Sequence, residues 1–313
     1  MKGARKEARE GGWLSAHLHF EGDLYGPDAD RLLWGLVVPQ VRGALDGGAA
    51  DRWFFLRFNQ PSDHLRLRLR VPSEPQAAQL RERIEVAFLE FRRQAGNPPV
   101  TELHWIDYEP ELDRYGGPTG VALAEELFHR SSEMALALLL KMEADDRPAR
   151  LGKALLAMLV LIHGYTPERS AAAAFCRSYG HGYLRSLVPD PQLQEHWLTT
   201  FEAGFERQAS GLSQYLEVAW KSLVDEGELT PELDLYRRQM SAHGRRLRRA
   251  WEAGQLIFEG KPYPTWATCF GHIVPSYLHM MNNRLGISQQ EESYLSVLFD
   301  WTLRRSGGVP TLS

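Results

Sequence analysis

The stretch His64-Leu65-Arg66-Leu67-Arg68-Leu69-Arg70-Val71 constrains the fold more than any other part of this 313-residue chain. Side chains on a strand alternate between faces, so Leu65, Leu67, Leu69 and Val71 share one face and His64, Arg66, Arg68 and Arg70 the other. A helix would scatter the arginines around its circumference, so the stretch reads as a strand. Its leucine face needs a core beneath it. The other face carries a row of cations with no acid interleaved. One reading of that row is a solvated sheet face with no task. Like charges two residues apart repel, however, and the aligned row points to a site for anions.

The flanking sequence supplies partners for such a strand. Trp13–Phe20 reads as a first strand, entered after a polar leader (residues 1–12) expected to be disordered. Asp28 is the expected N-cap of a helix running to about Leu45, apolar at Leu32, Leu33, Leu36, Val37 and Val41. Pro39 should kink or break it. Arg52–Phe58 is aromatic and β-prone, and the loop 59–63 turns it into the arginine strand. Ser73 is expected to cap a helix from Glu74 to Gln94, with Leu80, Ile84, Phe88 and Phe91 facing inward. A fourth strand follows over Val100–Tyr108. The order β-α-β-β-α-β is the split βαβ, ferredoxin-like arrangement, with the arginine strand central and the leucines under the helices.

From Pro118 onward the pattern is almost wholly helical, over Val121–Ala144, Arg150–Ile162, Pro167–Leu187, Pro191–Val224, Pro231–Trp251, Thr265–Arg284 and Gln289–Arg304. The expected fold class is therefore α+β. An antiparallel sheet region, 13–117, is expected to be covered by a helical region, 118–313, as one functional unit with its site at the junction; the alternative is a helical region that forms a separate appendage.

Bulk properties exclude several functions. A net charge of −4 and a pI near 6.3 give no bulk attraction to nucleic acid. Cys176 and Cys269 are the only cysteines, far apart and without metal-ligand spacing, so neither a disulfide framework nor a zinc site is expected. The leader lacks the apolar core of a signal peptide and no run is long enough to span a membrane, so a cytoplasmic protein is expected. GxGxxG, P-loop, HExxH and GxSxG motifs are absent.

Two further stretches carry chemistry. Glu109-Pro110-Glu111-Leu112-Asp113-Arg114-Tyr115-Gly116-Gly117-Pro118 follows the fourth strand, and its Gly-Gly-Pro fixes a sharp turn that would set the direction of Arg114 and Tyr115. The alternative is an ordinary connector with Arg114 paired to Glu111 or Asp113. Near the C-terminus, Ser276, His279 and Asn283 fall on one polar helix face, followed by Arg284, while Leu278, Met281 and Leu285 fall on another. A histidine in that company is an acid/base candidate. His163-Gly164-Tyr165 and Tyr179-Gly180-His181-Gly182-Tyr183 are weaker clusters near helix ends; their glycines either admit a peptide backbone or end helices, and termination is the expectation. Arg245-Arg246-Leu247-Arg248-Arg249 is expected to be a solvated face.

These stretches, in this order, resemble the C-terminal domain of lantibiotic dehydratases, which also occurs alone as the thiopeptide-type bacteriocin biosynthesis protein. The resemblance runs through Trp13, Leu32-Leu33, Trp53-Phe54-Phe55-Leu56-Arg57-Phe58 and His64-Leu65-Arg66-Leu67-Arg68. It continues through Glu111-Leu112-Asp113-Arg114-Tyr115-Gly116-Gly117 and Ala124-Glu125-Glu126-Leu127-Phe128, then His279-Met280 and Asn283-Arg284-Leu285. Residues 165–260 are only generically similar.

The resemblance implies elimination of glutamate from a glutamylated Ser or Thr of a ribosomal precursor peptide, leaving dehydroalanine or dehydrobutyrine. It implies Arg66, Arg68 and Arg114 as anion-stabilising groups and His279 as the acid/base. His64, Arg70, Glu111, Tyr115, Ser276, Asn283 and Arg284 are candidate substrate-binding residues beside them. Glu109, Glu111 or Asp113 is a candidate partner for the glutamyl α-amine. No metal or organic cofactor is implied. The implied partners are the precursor peptide (leader plus glutamylated core) and a separate tRNA-dependent glutamylating enzyme, without direct nucleic-acid or membrane contact; a homodimer is left open. Two alternatives stand beside elimination. Some standalone relatives join two dehydroalanines in a formal 4+2 cycloaddition that builds a pyridine, for which Tyr165, Tyr179, His181 and Tyr183 are candidate donors. A non-catalytic peptide-binding partner of a glutamylating enzyme is the other.

Overall fold

The structure, a computed structural model, describes residues 12–94, 96–143 and 146–306. The expected disorder of the leader falls on residues 1–11, outside the described residues. The chain divides into two compact units: one runs to Pro110 and takes in Glu143, and the other holds Glu111–Met142 and the residues from Asp146 on.

The first unit is built on four strands, β1 (Trp13–Phe20), β2 (Arg52–Phe58), β3 (His64–Arg70) and β4 (Val100–Trp105). They pair antiparallel in the order β2-β3-β1-β4, the ferredoxin-like order, with the arginine strand inside the sheet. Leu65, Leu67 and Leu69 are at most 1% exposed, as their alternation requires. β4 ends three residues earlier than the pattern suggests, at Trp105 rather than Tyr108.

Helix α1 (Pro27–Leu32) passes into a π-helical segment, Leu33–Val37, and then α2 (Val38–Asp46). Asp28 is not the N-cap: Gly26 holds that position, and Asp28 accepts a 2.8 Å bond from the Asp23 N–H instead. Pro39 does not break the helix either. The Val38 N–H reaches back five residues to the Leu33 carbonyl, and this wide turn leaves Pro39 in the first turn of α2, where a missing N–H is tolerated. Gly35 lies in the wide turn because a Cβ there would sit 2.5 Å from the Phe91 ring of α3 (Glu74–Arg93). Ser73 does precede α3, but its hydroxyl donates to Gln76 Oε1 at 2.7 Å rather than accepting from a helix N–H.

Arg57 lies on the leucine face, opposite Leu65, and is 1% exposed. It donates to Asp30 Oδ1 of α1 at 2.7 Å and to the Leu24 carbonyl at 2.8 Å, so it fastens the first helix to the underside of the sheet. Removing one partner of a buried pair strands the other charge. Arg57→Ala is expected to destabilise the protein by about 3–5 kcal/mol, and Arg57→Met with Asp30→Leu by much less. Urea unfolding checks this: the midpoint should fall with little change in slope.

The second unit begins with α4 (Leu112–Tyr115) and α5 (Gly117–Leu139), separated by Gly116 and Gly117 at φ +84° and +80°. That left-handed pair is the sharp turn the Gly-Gly-Pro sequence demands. The remaining helices are α6 (Arg147–Tyr165), α7 (Arg169–Leu187), α8 (Pro191–Val224), α9 (Pro231–Glu252), α10 (Trp266–Arg284) and α11 (Gln289–Ser306). A small hairpin, β5 (Ile257–Phe258) and β6 (Lys261–Pro262), is tied to the Gly-Gly turn by a 3.0 Å bond from Ile257 N–H to the Gly116 carbonyl.

Of the glycines expected to terminate helices, Gly164 does lie at a helix end, whereas Gly180 and Gly182 do not. Helix α7 runs straight through Gly180 and Gly182, and Gly164 lies within the last turn of α6. Gly164 also admits α9, since a Cβ there would meet Met240 at 2.7 Å and one on Gly244 would meet the Gly164 carbonyl at 2.2 Å. Gly180 admits α11 in the same way, with Ser296 and Val297 at 3.0 Å from a would-be Cβ. Cys176 and Cys269 are buried and free. No described helix is long and apolar enough to cross a membrane.

Candidate active site

Residues directly opposite each other in a sheet share a face. The register therefore adds to the arginine row Ser15 opposite Arg68, His17 opposite Arg66 and His19 opposite His64 from β1. From β2 it adds Phe54 opposite Arg68 and Phe58 opposite His64. These neighbours explain how the cations tolerate one another. The Arg66 guanidinium lies 3.4 Å over the Phe58 ring, and that of Arg68 lies 4.2 Å over Tyr108 and 5.3 Å from Phe54. Such cation–π contacts are favourable for a guanidinium. Arg70 stands apart at the strand end, bonded to Asp51 through Nε at 2.7 Å.

Between the arginines the imidazoles are neutral. Burial first, then Arg66, pushes His17 down to about 3. Burial also takes His64 down to about 4 and lowers His19. His64 donates its Nδ1–H to the Ser62 carbonyl at 2.7 Å and accepts from Arg66 Nε at Nε2, 3.1 Å away. Ring nitrogens of His17, His19 and His64 lie within 4.8 Å of one another, a spacing compatible with a metal ion. The chemistry runs against a cation, however, because Arg66 already occupies the His64 lone pair and two guanidiniums border the group. An anion suits it better. The Ser15 hydroxyl, buried and without a hydrogen-bond partner among the described residues, sits opposite Arg68 as a further donor.

The depressed histidines make the fold acid-sensitive. Their folded pKa lies below the unfolded 6.5, so below pH 6.5 the unfolded chain binds more protons and stability falls as pH falls toward 4. His17 and His64 are each expected to remove on the order of 2 kcal/mol between pH 6.5 and pH 5. Chemical denaturation at stepped pH checks this: His17→Gln with His64→Gln should flatten that limb.

In the helical unit, Arg114 donates from Nε to Ser276 Oγ at 3.0 Å and from NH1 to Glu111 Oε2 at 2.9 Å. Glu111 thus holds Arg114, which is the connector pairing weighed from the sequence. Tyr115 is buried and stacks on Tyr277, ring centroids 5.9 Å apart. One turn beyond Ser276, His279 Nδ1 lies 2.9 Å from Glu292 Oε2 of α11. The carboxylate can only accept, so His279 donates its Nδ1–H and presents Nε2 as the lone-pair nitrogen. Glu292 is fully buried and also accepts from Asn282 Nδ2 at 3.0 Å and from the Tyr179 hydroxyl. The Tyr183 ring packs at a tilt against that of His279, centroids 5.6 Å apart. Burial raises the hydroxyl pKa of Tyr179 and Tyr183 and keeps both protonated.

The face that brings Ser276 to His279 begins earlier, at His272, whose Nδ1 lies 2.5 Å from the Tyr263 hydroxyl. Asn283 is buried one turn beyond His279. Arg284 lies in the core: at zero exposure it bonds Ser132 Oγ at 3.0 Å and the Met280 carbonyl at 2.6 Å. Tyr165 is also interior, bonded to His243 Nδ1 at 2.6 Å, while His181 is half-buried near Arg177 and Arg185.

Glu292, His272, His17 and Ser15 had no place in the sequence reading. Glu292 sits in a run of polar residues that reads as an ordinary acidic first turn. His17 did carry a signal, because the alternation of Trp13–Phe20 puts it with Ser15 and His19 on one face.

The first unit thus carries guanidiniums beside neutral imidazoles, and the second an imidazole held by a buried carboxylate. The chain belongs to the family described as lantibiotic biosynthesis dehydratase C-term, whose model matches residues 13–302. Solved structures share the fold. The crystal structure of TsrL superposes with TM-score 0.71 at 18% identity, covering 96% of each chain. The tRNA-dependent lantibiotic dehydratase MibB from Microbispora sp. 107891 gives 0.66 at 22% identity, covering 98% of this chain and 29% of MibB. TbtD, a pyridine synthase from thiomuracin biosynthesis, gives 0.67 at 16% identity, covering 95% of this chain and 99% of TbtD. No curated protein matches the chain.

Proposed function

We propose that the protein eliminates glutamate from a glutamyl ester on a Ser or Thr side chain of a precursor peptide, leaving a dehydroamino acid. The observation that supports this most is His279 held by Glu292 one turn from Ser276, which itself binds Arg114. His279 Nε2 removes the Cα proton, the Cα=Cβ bond forms, the Cβ–O bond breaks, and glutamate leaves with the electron pair on its carboxylate. Arg114 stabilises negative charge as it develops, through charge-assisted hydrogen bonds. Arg66 and Arg68, seated on aromatic rings, serve as further anion-binding groups. The precursor peptide and a separate tRNA-dependent glutamylating enzyme are the proposed partners.

A second reading, formal 4+2 cycloaddition of two dehydroalanines, is favoured by one feature: the Tyr183 ring packs on His279 and the Tyr179 hydroxyl donates to the Glu292 carboxylate that holds it. Two substrates separate the readings. Offered a glutamylated peptide and, separately, a peptide already carrying two dehydroalanines, the protein should consume the first and leave the second unchanged. Ring formation from the second, with the first untouched, reverses the assignment.

A further inference from the structure

Four helical glycines among the described residues, Gly152, Gly182, Gly211 and Gly271, have room for a side chain that nothing fills, and two of them, Gly182 and Gly271, share one cavity. A Cβ built on Gly182 of α7 or Gly271 of α10 meets no atom within 4 Å, whereas Gly180, Gly164 and Gly244 each face a packed neighbour. Glycine inside a helix is less stable than alanine, so a position with room for a side chain and none present calls for another reason. Both glycines line one cavity of about 360 Å³, together with Phe175, Tyr179, Tyr183 and Pro275. That size is at the lower end of small-ligand pockets, about 300–1,000 Å³, and suits one side chain rather than a cofactor.

The walls are aromatic faces. Phe175 and Tyr179 stack at 5.9 Å with an interplanar angle of 18°, and Tyr179 and Tyr183 lie 4.7 Å apart. Two of these walls belong to the surroundings of His279: Tyr183 packs on its ring and Tyr179 donates to the carboxylate that holds it. Pro275, inside α10, has no N–H for the carbonyl of Gly271, which leaves that oxygen without its helical donor at the cavity wall.

We propose that this cavity between α7 and α10 is a specificity subsite, which takes an aromatic side chain of the peptide residue flanking the one that reacts. The proposal rests on the elimination reading for its substrate. A ring entering there stacks against Tyr179 and Tyr183, and aromatic pairs of this kind prefer offset or edge-on geometry. Gly182 and Gly271 keep the space clear.

The test uses the full chain and glutamylated peptides with Phe, Leu or Gly on either side of the modified Ser. Both turnover and equilibrium binding are measured. Wild type is expected to favour Phe over Gly by roughly tenfold at one flanking position, the scale a filled apolar pocket gives. Gly182→Leu should bring that ratio close to one. Gly182→Ala and Gly271→Ala should raise the melting temperature by about 1–2 °C each, because nothing native is displaced. Elimination with no preference at either position overturns the subsite and leaves the chemistry standing. Binding that favours Phe and loses the preference in Gly182→Leu supports the subsite even where no elimination occurs. A fall in melting temperature for both alanine variants overturns it, since the glycines would then serve packing.

Discussion

His279→Ala and Arg114→Ala are each expected to slow glutamate elimination by on the order of 10²–10³-fold, with the protein still folded. Both side chains belong to the partly exposed side of the helical unit: His279 retains 17% of its side-chain exposure and Arg114 37%. Truncation there removes chemistry rather than core. A positioned general base contributes about 10²–10⁴-fold, and a single donor to developing negative charge about 10²–10³-fold. The two should not add fully, since both act on one transition state. Arg114→Lys should recover little, because a point charge cannot bond Ser276 and Glu111 through separate nitrogens as the guanidinium does. Rates of glutamate release with circular dichroism on the same preparations check this. Variants that eliminate at the wild-type rate remove both residues from the mechanism.

Glu292→Gln is expected to cost on the order of a hundredfold although Glu292 is fully buried. The carboxylate accepts from His279, Tyr179 and Asn282 at once, which suits a group with only lone pairs to offer. An amide in its place directs N–H toward one of those donors. If that donor is His279, the imidazole moves its proton to Nε2 and loses the base. The expected signature is a fall in kcat with KM nearly unchanged, and partial recovery in Glu292→Asp. A purely structural role would instead lower the melting temperature while folded molecules keep full activity per active site.

The arginine strand was legible because two-residue periodicity in a sheet is local: neighbouring residues alone assign Leu65, Leu67 and Leu69 to the core. The helix ranges from Pro191 on follow from local pattern in the same way. What the sequence hides is set by distant contacts. Nothing local in the aromatic strand marks Arg57 as buried, yet Asp30, 27 residues away, makes it a buried tie. Gly164 and Gly180 read as helix ends, because the helices that press against them come from elsewhere in the chain. Arg284 follows a polar stripe, but five residues beyond His279 the helix has turned it into the core. Glu292 acquires its role only when α11 brings it against α10. Alternation, helical spacing and the local Arg114–Glu111 pairing were thus readable from the residues alone, and the long-range ion pairs and close crossings were not.

The most direct test of the central claim follows the fate of a single glutamyl ester. A synthetic precursor peptide carrying one glutamylated Ser is incubated with the purified protein and then with a thiol, and the peptide is analysed by mass spectrometry. Elimination predicts free glutamate in a one-to-one ratio with a dehydroalanine that captures the thiol. Release of glutamate with recovery of unmodified Ser and no thiol adduct, or an ester left intact, contradicts it.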